Sequence, residues 1–389
     1  MRTYERTHPW ITFKFDANRI SHLVWMMLGE ADSKRQHIAG APLQPDVAEE
    51  LRMIYLSKGV HGTTSIEGNT LTEREVRARV KGELPLPPSR EYLGREIDNV
   101  LAAYNLIIRD LYSGNISPIT PERITAFNKL ILDGLPLEEG VAPGEIRAHT
   151  VGVASYRGAP AEDCEYLLQE LCRWLAEDFV TDDSEMKFAV AVMKAVIAHL
   201  YIAWIHPFGD GNGRTARLIE FQFLTQAGVP LPAAHLLSDH YNMTRDAYYQ
   251  ALARTSREPY PVEEFIQYAM QGFVDALRSQ LQVIKKQQLN VTWEHYVHTR
   301  FHHQETKAKN RQKHLVLDLL PDQPTPLSKI REVSPRIAAE YASKGPKTVT
   351  RDINALLAHK LIRRVRGGIV PNRDLVLAFL PFTAPPEDA

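Results

Sequence analysis

His206-Pro207-Phe208-Gly209-Asp210-Gly211-Asn212-Gly213-Arg214-Thr215-Ala216-Arg217 follows an apolar run from Phe188 to Ile205, and its reading governs the rest of the chain. Pro207 ends the preceding helix, because proline cannot continue it and pushes its predecessor out of helical geometry. A new helix starts near Gly213. The glycines flanking Asn212 let successive backbone N–H groups turn inward, as an anion-binding nest at a helix N-terminus. Arg214 and Arg217 lie three apart and project from one face of that helix, and two guanidiniums aimed at a helix start point to a di- or triphosphate. Asp210 offers a hard oxygen of the kind magnesium takes beside phosphates. His206, just ahead of the loop, is placed to take a proton from an attacking hydroxyl. A base, a metal carboxylate, an anion cradle and paired arginines make a phosphoryl- or nucleotidyl-transfer site. A calcium loop beginning at Asp210 fails, because its fifth and twelfth positions are Arg214 and Phe221. The Gly-Lys-Ser/Thr of a P-loop is absent.

The segment resembles the signature of the Fic family, His-Pro-Phe-x-x-Gly-Asn-Gly-Arg-x-x-Arg, at every specified position, and the resemblance extends over roughly residues 45–280. It implies a mostly α fold: an all-helical core with a short β-hairpin flap, transferring AMP from ATP to a Ser, Thr or Tyr hydroxyl of a protein. By this resemblance His206 is the base and Asp210 holds Mg²⁺. Gly211, Asn212 and Gly213 cradle the phosphates, Arg214 contacts the β/γ region and Arg217 orients the γ-phosphate. Phe208 looks like a packing residue. The flap falls at Gly144–Pro160, where Val153, Ala154, Ser155 and Tyr156 match positions that line the nucleotide in related proteins; an exposed flap edge can register an extended target by main-chain pairing. Tyr248-Tyr249 matches a pair bordering the adenosine. Adjacent helical residues point about 100° apart, so one of the two is expected to face the nucleotide and the other the core. Ser256 stands where the family often has Asn, a departure that bears on the choice of ATP as donor.

Thr63-Thr64-Ser65-Ile66-Glu67-Gly68-Asn69 is similar to the family's inhibitory motif, Ser/Thr-x-x-x-Glu-Gly/Asn, in the subgroup that carries it N-terminal to the core. A Glu67 carboxylate paired with Arg217 would occupy the γ-phosphate position and repel an incoming triphosphate. In some relatives the same glutamate positions water to remove AMP, so a de-modifying hydrolase is one alternative.

The bulk properties set the frame. At 389 residues the chain has room for two or three domains. Apolar residues make up 44%, charged residues 24%, and the formal charge is −1, so nucleic-acid contact needs a local basic patch. The first 25 residues lack the apolar core of a signal peptide. Phe188–Ile205 carries Lys194 and His199 and reads as a buried core helix, not a membrane span. Cys164 and Cys172 fall on one helix about 12 Å apart, too far for a disulfide. No Cys/His metal spacing occurs, and the expected compartment is cytoplasmic.

Residues 1–90 read as a helical region carrying the inhibitory motif, 91–280 as the catalytic core, and 281–310 as a polar connecting helix. Within the core, helices are expected at 95–113, 121–132, 164–179, 184–204, 212–227, 245–256 and 262–276, with a small hairpin at 146–157. Residues 311–389 read as three short helices (311–320, 327–334, 348–360) and a hairpin turning at Gly367-Gly368, the layout of a winged helix-turn-helix. Lys344–Arg366 holds seven Lys/Arg and one acid, Asp352. Lys347, Thr348, Arg351 and Asn354 fall on the outer side of its helix, with Arg363, Arg364 and Arg366 ahead of the turn, a division suited to contacting DNA. A DNA-binding regulator whose core senses nucleotide is the second alternative; the intact His206 and Asp210 favour an enzyme. The target protein, self-modification and a homodimer are left open.

Overall fold

Apolar side chains recurring every three to four residues commit most of this chain to helices. The computed structural model describes residues 2–114, 117–153, 156–302 and 306–377, and is mostly helical with two small antiparallel hairpins among them. It divides into two compact units that meet in sequence at Gln282 and Val283.

The first unit opens with α1 (Thr3–Thr7), α2 (His22–Ala39), α3 (Pro45–Ile66) and α4 (Glu73–Val80). Next come α5 (Glu91–Tyr112), α6 (Pro121–Ile131) and the hairpin β1 (Gly152–Val153) and β2 (Tyr156–Arg157), followed by α7 (Cys164–Glu177), α8 (Lys187–Ile205) and α9 (Asn212–Gln226). Two short helices that periodicity did not single out, α10 (Leu231–Ala234) and α11 (Leu236–Met243), lead to α12 (Arg245–Thr255) and α13 (Val262–Arg300). α8 is the axis. It is long and apolar enough to cross a membrane, yet 78% of its apolar window is buried inside the fold, as a helix apolar on all sides must be in a core. Lys194 escapes full burial and places its ammonium 5.0 Å from the centre of the Phe223 ring. α9 packs back along α8, and α5 and α6 cover α9. Cys164 and Cys172 are both free and buried.

α3 lies against α11 at unusually close range. A Cβ on Gly59 would fall 2.5 Å from the His235 ring, and one on Gly62 would fall 2.6 Å from the Ser238 carbonyl oxygen. Glycine is therefore required at both positions by packing, and the helix that carries the Thr63–Asn69 motif is seated in the core.

α13 extends 39 residues, so the expected break near residue 276 does not occur; core helix and connecting segment are one element. In the second unit Trp293 and Val297 join an apolar cluster with Leu315, Ile337, Tyr341, Ile353 and Leu356. These come from α14 (Lys307–Asp318), α15 (Pro335–Tyr341) and α16 (Pro346–Ala358), which precede the hairpin β3 (Ile362–Val365) and β4 (Gly368–Pro371). The expected middle helix at 327–334 is instead a 3-10 turn, Leu327–Glu332, and Ser334 caps α15 beyond it. The lone acid of the basic block, Asp352, is fully buried and paired with Arg311 at 2.7 Å, with Gln312 and Tyr341 donating to it as well. That pair pins the inner face of α16. Its outer face exposes Lys347, Thr350, Arg351 and Asn354, whereas Thr348 is half-buried; the helical turn puts Thr350, not Thr348, on the outer row.

The seam between α3 and α11 gives a direct test. Gly62→Ala forces a methyl group onto backbone atoms that cannot rotate away, and is expected to destabilise the protein by about 2 kcal/mol or more. Urea denaturation would read this, and an unchanged midpoint would refute the close packing.

Candidate active site

α8 ends in a way that aims His206. The residue takes φ 50°, ψ 57°, left-handed values unusual for a side chain of this kind, while its N–H still donates to Ile202 O at 2.9 Å. The last carbonyls of α8 have no helical partners and are satisfied from the flap side. Tyr156 Oη donates to Trp204 O at 2.7 Å, and the Arg147 guanidinium donates to His206 O at 2.7 Å and to Ile205 O at 3.4 Å. Arg147 is 5% exposed, so its charge sits almost buried at the negative end of α8, where the helix dipole favours it. The His206 ring is oriented by Nδ1, which donates to Ala203 O at 3.4 Å and leaves Nε2 as the acceptor. Burial, the dominant cause, pushes its pKa down to about 4 against the opposing pull of the Ala203 carbonyl and the Glu67 carboxylate. The imidazole is therefore neutral at pH 7 and able to accept a proton.

The loop itself is tightly determined. Phe208 N–H donates to Asn212 Oδ1 at 2.9 Å, and Asn212 Nδ2 donates back to Phe208 O at 2.8 Å. Asn212 is thus a staple across the loop, its side-chain amide committed to the Phe208 backbone. Phe208 is fully buried, as expected, and pairs with Ile146 in an isolated antiparallel bridge. Gly211 has φ 78°, and a Cβ there would lie 2.9 Å from Asn128 Nδ2. Asn128 in turn donates to Asp210 O at 2.9 Å.

Arg214 and Arg217 are both buried and already hold anions. Arg214 bridges Glu96 (2.7 Å) and Asp210 (2.9 Å), and Asn69 Nδ2 donates to the other Glu96 oxygen at 2.8 Å. Arg217 donates through Nε to Thr63 Oγ1 at 2.8 Å, and through Nη2 to Thr63 O at 3.0 Å and to Glu67 Oε1 at 2.6 Å. Its Nη1 has no partner among the described residues. Glu67 follows α3 as its C-terminal cap and lies against the start of α9, so close that a Cβ on Gly213 would be 2.2 Å from Glu67 Oε1. Burial pushes the Glu67 carboxyl upward, but the charges of Arg217 and Arg214 outweigh it and hold the pKa below the usual glutamate value.

A cavity of about 270 Å³ opens beside this cluster, walled by Ile66, Glu67, Trp204, His206, Tyr249 and Leu252. With half-open apolar walls and a polar end, it has the character of a small-molecule pocket. Tyr249 is half-buried and faces it; Tyr248 reaches the wall but is 3% exposed, its hydroxyl bonded to His199 Nε2 at 2.9 Å. Tyr156 also reaches the cavity. Ser256 does not: it caps α12, and its Oγ donates to Ala253 O at 3.1 Å, so the helix ends before this side chain can turn inward. Val153 pairs with Tyr156 in the hairpin, while Ala154 and Ser155 lie outside the described residues.

Glu67 makes the pair with Arg217 a pH-dependent stabiliser. Its folded pKa is depressed from 4.5, so the contribution is fully present above about pH 4.5 and is lost as pH falls through the folded value. Glu67→Gln is expected to be less stable than the parent by about 2–3 kcal/mol at pH 7, with the gap closing in acid. Denaturation at a series of pH values would read it, and a gap independent of pH would show that the carboxylate charge contributes nothing.

Comparison with known proteins bears on this geometry. Residues 118–224 match the Fic/DOC family. Protein adenylyltransferase fic-1 of Caenorhabditis briggsae is 30% identical over 171 residues, covering 44% of this chain and 32% of the relative. Protein adenylyltransferase Fic of Nematostella vectensis is 25% identical over 260 residues, covering 66% of this chain and 57% of the relative. The chain thus spans between a third and somewhat over half of the length of these relatives. The crystal structure of a Fic family protein from Desulfovibrio desulfuricans G20 shares the fold with a TM-score of 0.55 at 20% identity, over 90% of this chain and 93% of that one. Fic-1 of C. elegans (residues 134–508) superposes with a TM-score of 0.51 at 21% identity, over 68% and 73%. The segment that matches the Fic/DOC family contains His206, the loop from Pro207 to Gly213 and the buried Arg214 and Arg217.

Proposed function

We propose that the protein is an adenylyltransferase that moves AMP from ATP onto a Ser, Thr or Tyr hydroxyl of a protein target, itself included among the candidates, and that Glu67 holds it inactive. The observation that carries this reading is that a neutral His206 and Gly213, at the start of α9, line one cavity together with Glu67, the partner of the buried Arg217. In the proposed step the acceptor oxygen attacks the α-phosphorus, its proton passes to His206 Nε2, and the bond to the β-phosphate breaks to release pyrophosphate. The N–H groups at the start of α9 and the free Nη1 of Arg217 are the groups suited to the negative charge of the phosphates. Asp210, half-exposed and carrying hard oxygens, is the residue fitted to hold magnesium, which would offset phosphate charge when bound. The curated relatives named as protein adenylyltransferases support ATP as donor and a protein as acceptor.

Inhibition follows from charge. Glu67 takes Arg217 Nη2 and crowds the start of α9, so a γ-phosphate would meet a carboxylate where it needs a cation. Incubation with ATP and magnesium followed by intact-mass spectrometry tests both parts. Glu67→Gly is expected to raise AMP incorporation at least about tenfold, and adding His206→Ala to lower it by about 100-fold or more. Equal incorporation by parent and Glu67→Gly would remove the inhibitory role, and transfer that survives loss of His206 would remove the mechanism.

The second unit favours a further reading, DNA contact through α16. Lys347, Arg351 and Asn354 share the exposed face of that helix, with Arg363, Arg364 and Arg366 exposed on the adjoining hairpin. In gel-shift titration of the whole chain, Lys347→Ala with Arg351→Ala is expected to weaken duplex binding about tenfold and flatten its salt dependence. No salt-sensitive binding by the parent would leave α16 as a protein-binding face.

A further inference from the structure

The last turn of α3 carries two neighbours with different tasks. Glu67 faces Arg217, whereas Ile66, 2% exposed, forms part of the cavity wall together with Leu252 and Tyr249. What keeps Ile66 there is not the helix itself. The carbonyls of a terminal turn lack intrahelical donors. Those of Thr64 and Ser65 are closed by the N–H groups of Glu67, Gly68 and Asn69, with Gly68 at φ 102°. The Ile66 carbonyl instead accepts from Arg245 Nη2 at 2.6 Å and from Tyr249 Oη at 3.5 Å, and Arg245 Nη1 reaches Ser65 O at 3.4 Å.

Arg245 opens α12 and stands four residues before Tyr249, so both rise from one face of that helix, the guanidinium carbon 5.9 Å from the tyrosine ring centre. A cation at the negative end of α3 is also where the helix dipole favours it. The donors come from a helix that itself walls the cavity, and their acceptor is the backbone of another residue that walls it.

Building on the nucleotide-transfer reading, we infer that Arg245 is a positioning residue for nucleotide affinity: it clamps the Ser65–Ile66 turn of α3 to α12, so that Ile66 and Tyr249 together form the nucleoside side of the cavity. The turn that delivers the inhibitory carboxylate is therefore also part of the binding site. Removing Glu67 clears the phosphate end and keeps the wall. Releasing the turn loses the wall.

The two effects separate in the Glu67→Gly background, where the inhibitory carboxylate is gone. There Arg245→Ala is expected to raise the calorimetric Kd for ATP and the KM for ATP about 3- to 10-fold, the loss of a charge-assisted hydrogen bond at a partly exposed site, with kcat kept within about twofold. Arg245→Lys, which retains the charge and a donor, is expected to recover part of the affinity. Melting temperatures of all three proteins are compared, since a merely structural role would lower them without moving Kd. Unchanged Kd in Arg245→Ala overturns the inference, as does a fall in kcat at constant Kd. Because Kd is read without turnover, a Glu67→Gly protein that binds ATP but transfers nothing defeats the transferase reading while the Kd comparison still decides the role of Arg245. Failure of Glu67→Gly to bind ATP at all overturns both.

Discussion

Arg217 presents a guanidinium with a side chain 1% exposed at the centre of the first unit, and a charge so far from water needs an anion close by. Thr63 supplies two neutral acceptors, and among the described residues hydrogen-bonded to Arg217 only Glu67 supplies charge. Much of the surrounding structure serves this demand. α3 must end where its cap can reach α9, Gly213 must lack a side chain so that the carboxylate can approach, and Gly59 and Gly62 must let α3 lie flat on α11. A phosphate group answers the same demand. Carboxylate and phosphate are thus alternative partners for one cation, and this exchange is the physical content of the proposed inhibition.

His206, the proposed base, depends on a different arrangement, one made of backbone. α8 stops at Pro207, and Arg147 binds the carbonyls its end leaves over while also donating to Ala159 and His149. His206 is held in a left-handed conformation between these constraints and the Phe208–Asn212 staple. Strained geometry persists only where neighbours over-determine it, and here they lie on three separate segments of the chain.

How much of this was legible beforehand varies with the range of the interactions. The loop from His206 to Arg217 was readable because its chemistry is local: proline stops a helix, glycines open a nest and arginines recur at one turn's spacing. The helices expected at 121–132, 164–179, 184–204, 212–227 and 245–256 are readable to within a few residues for the same reason. Asn212 was assigned to the phosphates, and only the fold shows its amide turned back onto Phe208. Arg147, Asn128, Glu96 and Arg245 were missed; each acts through a partner tens to more than a hundred residues away, and nothing in the sequence separates such an arginine from a solvated one. The core helix and the expected connecting helix are one element, because the polar, helix-prone residues after 276 continue the helix on an exposed stretch. Ser256, which stands where the family often has Asn, caps α12 in the fold.

The glycine seam under α3 bears on how any activating signal can work. A carboxylate mounted on a helix that is wedged into the core is presented to its arginine at a very high effective concentration, far above what a freely diffusing anion attains. Under the proposed inhibition, raising the concentration of ATP is then a weak lever, since the competitor is tethered and never dilutes. A signal that acts on the side chain torsions of Glu67, or on the few residues beyond its helix, has far less to displace than one that must unseat twenty-two residues of packed helix.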